Sequence, residues 1–293
     1  MKKYTYYPGC SLEETCKPYD MSVRAVFEKL DIELNDIEDW NCCGATLSLG
    51  VNEKSAAYLS ARNLAIADKA GNDIAVPCSA CYTSLRKAEK TMKGQPDIAA
   101  AVSKELKEEN LEYTGKAKIR HILDILYSDL RGEIKNKTEK KQENIRIACY
   151  YGCQITRPDG FDHSERPETM DRLMEDIGAV PVDFMAKTKC CAGMLMQTKE
   201  NAALPMVAEV LQSAKRAGAG IIVTACPLCM MNLESYQSKL SGKYKKDLKI
   251  PVMYLTQIIG LALGIDGKAL GIPGNFVDPG KELEKISGGA ADA

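Results

Sequence analysis

Trp40-Asn41-Cys42-Cys43-Gly44-Ala45 has a second copy in Lys189-Cys190-Cys191-Ala192-Gly193. The other informative residues stand at matching distances around these two adjacent-cysteine pairs. Cys10 precedes the first pair by 32 positions and Cys153 precedes the second by 37. A Cys-x-x-Cys follows each: Cys78 and Cys81 lie 36 and 39 residues beyond Cys42, and Cys226 and Cys229 lie 36 and 39 beyond Cys190. One five-cysteine pattern therefore occurs twice in 293 residues, a length that suits two domains of ordinary size.

Working outward from the pairs, apolar periodicity repeats in the same order. Lys3 to Pro8 reads as a strand running into Gly9-Cys10, and Ile145 to Tyr151 as its counterpart running into Gly152-Cys153. Val23, Val26, Phe27 and Leu30 have helical spacing, as do Met170, Leu173, Met174 and Ile177. Ile32 to Ile37 and Val180 to Phe184 predict the second strands, and 55–70 predicts a long helix matched by Val207 to Ala214. Asp73 to Val76 and Ile221 to Thr224 predict buried third strands feeding Cys78 and Cys226. Helices are expected over 80–93 and 98–110, and a last strand–helix unit over 118–130, mirrored from Val252 to Ile259. The expected fold is α/β: two pseudo-symmetric domains with mostly parallel, Rossmann-like sheets. Every cysteine motif falls at a strand end, where ligands gather in such sheets.

The predicted units are a first domain over 1–133, a Lys/Glu-rich linker over 134–144 within the charged stretch Arg131 to Asn144, a second domain over 145–265, and a Gly/Pro-rich tail over 266–293, expected to be poorly ordered or laid over a partner. With 45% hydrophobic and 27% charged residues the chain can bury a core, and a net charge of −1 offers no concentrated basic surface for nucleic acid. The most apolar stretch, Ile258 to Ile265, is far short of the roughly 20 residues a membrane helix requires. No signal-peptide core follows Met1, so a cytoplasmic location is expected. In that compartment twelve cysteines point to metal or redox chemistry rather than disulfides.

Structural zinc and ordinary iron–sulfur cubanes take four protein ligands. Each half here offers five: Cys10, Cys42, Cys43, Cys78 and Cys81, then Cys153, Cys190, Cys191, Cys226 and Cys229. Adjacent cysteines project in different directions and suit more than one metal. A multi-iron cluster of unusual shape is the expectation, and a zinc-stabilised scaffold is the alternative. Cys16 and Cys149 have no counterpart in the other half; Cys149 alternates with Ile145 and Ile147 as a core residue, and Cys16 is a neighbour of the site rather than a ligand. His121 and His163 do not abut a cysteine motif in sequence, and Arg157, Lys187 and Lys189 are candidate holders of anionic substrate groups.

The pattern Cys10 … Cys42-Cys43-Gly44 … Cys78-Ser79-Ala80-Cys81, repeated from Cys153 to Cys229, resembles the CCG-domain family and, with two such domains, the B subunits of heterodisulfide reductases. The resemblance covers roughly residues 4–260. It implies two non-cubane [4Fe-4S] clusters, each on the five cysteines of one half, that reductively cleave the disulfide joining coenzyme M and coenzyme B. It also implies a ferredoxin-like iron–sulfur subunit of C type, with conventional cubanes, and an electron-bifurcating flavin subunit of A type. Similar CCG proteins act in quinone-linked dehydrogenases, so electron transfer to quinone is the other enzymatic expectation. The substrate disulfide is expected between the halves, one sulfur facing each cluster. One departure stands out: Ala192 precedes glycine after the second pair, so a different turn is expected there.

Overall fold

The computed structural model describes residues 2–45, 50, 52–158 and 160–287. Strand β1 (Lys2–Tyr6) runs parallel to β2 (Ile32–Asp36) on one side and to β3 (Ile74–Val76) on the other, and β3 pairs with β4 (Ile119–His121). The second half repeats this with β5 (Arg146–Tyr150), β6 (Val180–Pro181), β7 (Ile221–Thr224) and β8 (Val252–Tyr254). The strand orders are β2-β1-β3-β4 and β6-β5-β7-β8, all parallel. Short runs such as Ile74-Ala75-Val76 and Ile221-Ile222-Val223-Thr224 are buried throughout because helices cover both faces of a parallel sheet.

In each sheet the chain leaves the first strand toward one edge and returns to the other side. That reversal opens a crevice beyond the carboxyl ends of β1 and β3, and of β5 and β7. Cys10 follows β1, Cys42 and Cys43 follow β2, and Cys78 follows β3; Cys153, Cys190, Cys191 and Cys226 repeat the placement. Cys78 and Cys226 each stand immediately before a helix, Ser79–Gly94 and Pro227–Ser235, whose first turn carries Cys81 or Cys229.

The halves pack through corresponding elements. Helix Lys17–Lys29 lies on helix Leu255–Ala262, and helix Ile122–Ser128 lies on helix Thr169–Asp176. At the first contact Tyr19 and Tyr254 stack face to face at 4.0 Å, and the Ser22 and Thr256 hydroxyls share a 2.6 Å hydrogen bond. All four side chains are buried, so one apolar core spans both halves.

Two expectations are corrected, and the linker stretch gains structure. The charged stretch after Leu130 begins as a helix, Arg131–Lys137, because Ile134 is fully buried and Arg131 pairs with Asp176 across the halves. The second strand of the second half stops at Pro181: proline has no N–H to donate to a ladder. Val182 makes one more bond to the Ile147 carbonyl, and the chain then turns so that Lys187 N–H donates to the Phe184 carbonyl. Residues 266–287 of the tail are folded rather than loose; 288–293 lie outside the described residues. Leu270 is fully buried where Gly260 leaves room for it, Gly271 packs on Pro18, and helix Gly280–Ser287 follows. Glycine is required at 271 because its φ is +68° and a Cβ would stand 2.6 Å from the Pro18 Cα. The tail thus touches both halves.

Glu234 holds that tail to the helix bearing the second Cys-x-x-Cys, accepting hydrogen bonds from the Val277 N–H at 2.9 Å and from Phe276 N–H. Burial raises its carboxyl from the usual 4.5 to about 7, and the two N–H donors only partly oppose this. A carboxyl raised on folding adds stability below its unfolded value, and that stability is lost as pH rises through the folded one. The Tm of Glu234→Gln is therefore expected to gain on the native Tm between pH 5 and pH 8 in calorimetric scans. A pH-independent difference would contradict this account of Glu234.

Candidate metal centres

Each crevice gathers its five cysteines in the same way. The second cysteine of the pair meets the second of the Cys-x-x-Cys: Cys43 Sγ lies 3.4 Å from Cys81 Sγ, and Cys191 Sγ lies 3.5 Å from Cys229 Sγ. These separations far exceed the roughly 2.05 Å of a disulfide, and all twelve cysteines are free thiols. Cys78 and Cys226 complete the buried side of each nest. Cys10 and Cys42 are exposed, and Cys153 and Cys190 are half-buried, so each nest has a closed wall of three sulfurs and an open side of two. Cys43 and Cys191 are buried while Cys42 is exposed and Cys190 half-buried, yet each adjacent pair stays close enough for its two thiols to perturb one another.

Local structure explains the convergence. Tyr7, just beyond β1, donates its hydroxyl to the Asn41 carbonyl at 2.8 Å, and Tyr150, at the end of β5, donates to the Lys189 carbonyl at 2.6 Å. Each clamps the residue before a cysteine pair. These tyrosines were missed from sequence, although they are 143 positions apart, the same offset as Cys10 and Cys153. In the first half Ser60 donates to the Cys43 carbonyl at 2.8 Å; in the second, Asn232 donates to the carbonyls of Cys191 and Gly193, both at 2.9 Å. Gly9 and Gly152 bring the backbone against sulfur. A Cβ at Gly9 would stand 2.9 Å from Cys81 Sγ, and one at Gly152 would stand 3.2 Å from Cys229 Sγ.

The turn after the second pair does not differ, contrary to expectation. Ala192 takes φ +72°, the same value as Gly44 after the first pair. A left-handed conformation costs a residue with a Cβ roughly 1–2 kcal/mol. Ala192→Gly is accordingly expected to raise stability by about 1 kcal/mol, read as a higher Tm; an unchanged or lower Tm would show that the turn carries no such strain.

Crowding sets the proton chemistry. Cys43 is pushed down to about 3 by hydrogen bonds from Cys42 and then Cys81, while Cys42 is pushed up by the same contact with Cys43. In the second nest Cys190 is lowered to about 3 by Cys153 and Cys191, and Cys191 is raised to about 12 by Cys190. Five thiols this close cannot all ionise unless positive charge sits among them. The donors are all sulfur, as in iron–sulfur ligation. Among the described residues, no group of three or more His, Cys, Asp or Glu side chains is arranged to hold a metal ion as it stands. The donor set fits a group that spreads five thiolates over several irons.

The two nests adjoin. Cys78 and Cys226 approach closely enough across the halves for each thiol to shift the other's proton affinity. His121, which sequence separates from every cysteine motif, is brought to this seam by the carboxyl end of β4. It is fully buried, its Nε2 lies 3.3 Å from Ser79 Oγ, and desolvation lowers it to about 4. His163 is exposed, and its Nδ1 accepts the Glu165 and Arg166 N–H groups in a loop. Cys16 is buried beside the seam, 3.8 Å from the Pro227 carbonyl, and Cys149 is a core residue. The candidate substrate-holding cations are already engaged: Arg157 with Glu165 and the Thr188 carbonyl, Lys187 with Asp171, and Lys189 with Glu209. A hollow of about 680 Å³ lined by Glu168, Asp171, Glu175, Asp183 and Lys187 among others lies beside β6 and contains no cysteine.

The family model of the cysteine-rich CCG domain matches residues 4–86 and 147–234, one copy in each half. The chain belongs to this family. Across nearly its whole length this CCG protein is similar to named relatives. It is 32% identical over 284 residues to the 8-methylmenaquinol:fumarate reductase membrane anchor subunit of Wolinella succinogenes, covering 96% of this chain and 99% of that one. It is 30% identical over 292 residues to the B subunit of the ferredoxin/F420H2-dependent CoB-CoM heterodisulfide reductase of Methanosarcina acetivorans, covering 98% and 97%. A protein of Archaeoglobus profundus whose name likens it to the B subunit of heterodisulfide reductase is 30% identical over 294 residues, covering 97% of this chain and 98% of that one. In fold, the CCG chain superposes on a hypothetical protein from Helicobacter pylori with a TM-score of 0.76 at 17% identity, over 94% of this chain and 52% of that one. Among the described residues no helix is long and apolar enough to cross a membrane.

Proposed function

We propose that this chain is the catalytic B-type subunit of a heterodisulfide reductase complex, reducing CoM-S-S-CoB or a related disulfide to two thiols. The observation that carries this is the duplicated nest of five cysteines in a chain with full-length relatives of that name. In this reading Cys10, Cys42, Cys43, Cys78 and Cys81 hold one non-cubane [4Fe-4S] cluster and Cys153, Cys190, Cys191, Cys226 and Cys229 hold the other. The clusters supply the two electrons. The protein's own groups do the rest. Tyr7 and Tyr150 fix the loops that carry the cysteine pairs, the buried trio in each nest excludes water, and the open side at Cys10, Cys42, Cys153 and Cys190 admits the disulfide. Reduction consumes two electrons and two protons for each S–S bond cleaved.

The lobes in this account are residues 1–133 and 145–265, joined through 134–144, with 266–293 as the tail. A ferredoxin-like C-type subunit delivers electrons and a flavin A-type subunit supplies them, in the cytoplasm. A second reading is favoured by the Wolinella relative: electron transfer toward a quinone through a membrane partner. The purified protein, reduced with an artificial donor, is expected to turn over a thiol heterodisulfide and to leave a menaquinone analogue unchanged. The reverse result would favour the quinone reading.

A further inference from the structure

The pseudo-twofold repeat breaks in the way each cysteine-pair loop is held. In the first half two side chains of helix Glu53–Ala70 hold it. Ser60 donates to the Cys43 carbonyl at 2.8 Å, while Asn63 donates to the Asn41 carbonyl at 2.8 Å and accepts the Asn41 N–H at 3.0 Å. The matching helix of the second half, Glu200–Arg216, starts 147 positions further on. At the same displacement it presents Val207 and Val210, both buried, whose side chains have no hydrogen bond to give.

Asn232 takes over that task from a different helix. It is buried on Pro227–Ser235, three residues beyond Cys229. Its amide nitrogen donates to the Cys191 and Gly193 carbonyls, each at 2.9 Å, and lies 3.9 Å from Cys191 Sγ. The first-half counterpart, Ser84, has a single hydroxyl proton and could not serve two carbonyls at once. Those two carbonyls flank Ala192, whose φ is +72°. In the first half Gly44 takes this conformation unaided, whereas a residue with a Cβ disfavours it. The amide therefore bridges the strained residue of the loop and ties it to the helix of the second Cys-x-x-Cys.

We propose that Asn232 is a positioning residue of the second metal centre, locking the turn at Ala192 in its left-handed form and so seating the Cys191 thiol against Cys229. This rests on the cluster reading above. Released from Asn232, Ala192 favours a negative φ, the course of the chain at Cys191 changes, and its sulfur leaves the ligand set. The second nest thus has its cysteine pair and its Cys-x-x-Cys fixed to one helix. The first has them fixed to two, Glu53–Ala70 and Ser79–Gly94.

The test is Asn232→Leu, which keeps much of the side-chain volume and removes both donors, in the full chain purified anaerobically. Iron, sulfide, the EPR spectrum and alkylation of Cys191 by iodoacetamide, read by peptide mass spectrometry, are measured on the same samples. The variant is expected to lose the EPR signal that Cys191→Ala removes and to keep the other, with iron falling from about eight to about four per chain. Cys191 should be alkylated at least about tenfold faster than in the native protein. Adding Ala192→Gly is expected to bring back the signal and the iron and to slow the alkylation, because glycine holds the turn without help. A general loss of packing would not be repaired in this way. Full iron with both signals unchanged in Asn232→Leu, or a double variant no better than the single one, would overturn the proposal while leaving the cluster reading intact. If Asn232→Leu does not fold, Asn232→Ser decides it, with the same selective loss and the same repair by Ala192→Gly expected. Native protein without iron and sulfide would sink the cluster reading itself, and the proposal with it.

Discussion

Replacing Cys43 with alanine is expected to halve the bound iron, from about eight to about four per chain, and to lower disulfide reduction by at least about a hundredfold. Cys43 is buried and touches Cys81 at 3.4 Å, so its loss opens the closed wall of the first nest rather than its solvent side. The second nest draws its five sulfurs from the other sheet and should keep its iron. Cys191→Ala should give the mirror-image result. Iron measurement with sulfide and visible absorption checks both. Loss of all iron from either variant would mean that the nests do not form independently, and unchanged turnover would mean that they are not where the disulfide reacts.

The second large effect is expected at a residue that supplies no ligand. Gly9→Ala places a Cβ in a backbone with φ +72°, 2.9 Å from Cys81 Sγ. Real Cβ atoms do not approach sulfur this closely, so the sulfur or the β1 turn must move. The conformational cost alone is roughly 1–2 kcal/mol, and the displaced sulfur adds to it. Selective loss of iron from the first half is expected, with a lower Tm. Gly152→Ala has the same strain at φ +68° but more room, 3.2 Å from Cys229 Sγ, and should be milder. If the two variants behaved alike, or if Gly9→Ala retained full iron, close packing against sulfur would not be what these glycines provide.

Much of this was legible before the fold was known, because the repeat carries two independent signals in register. Strand-like runs such as Ile74-Ala75-Val76 end where the cysteines begin, and parallel sheets gather strand ends at one edge. The burial of Cys149 followed from its alternation with two isoleucines. What escaped depended on contacts between distant segments. The burial of Ile134 makes a helix of a stretch whose charge suggested a linker, and Leu270 and Glu234 anchor a tail whose composition suggested disorder. Val182 to Phe184 has strand character, but an edge position beside Pro181 leaves it little to pair with. Ala192 hid a left-handed turn because alanine rarely adopts one. His121 lies 40 residues beyond Cys81 in the chain and reaches the seam only through the pairing of β3 with β4. Among the candidate cations, Lys187 is near the second motif in sequence, and its ion pair with Asp171 was not legible there.

The most direct measurement is the iron, zinc and acid-labile sulfide content of anaerobically purified protein, taken together with its EPR spectrum. Two multi-iron nests predict a brown protein with about eight iron and a comparable amount of sulfide per chain, and paramagnetic signals that change on reduction. A colourless protein with one or two zinc ions, no sulfide and no EPR signal would contradict it.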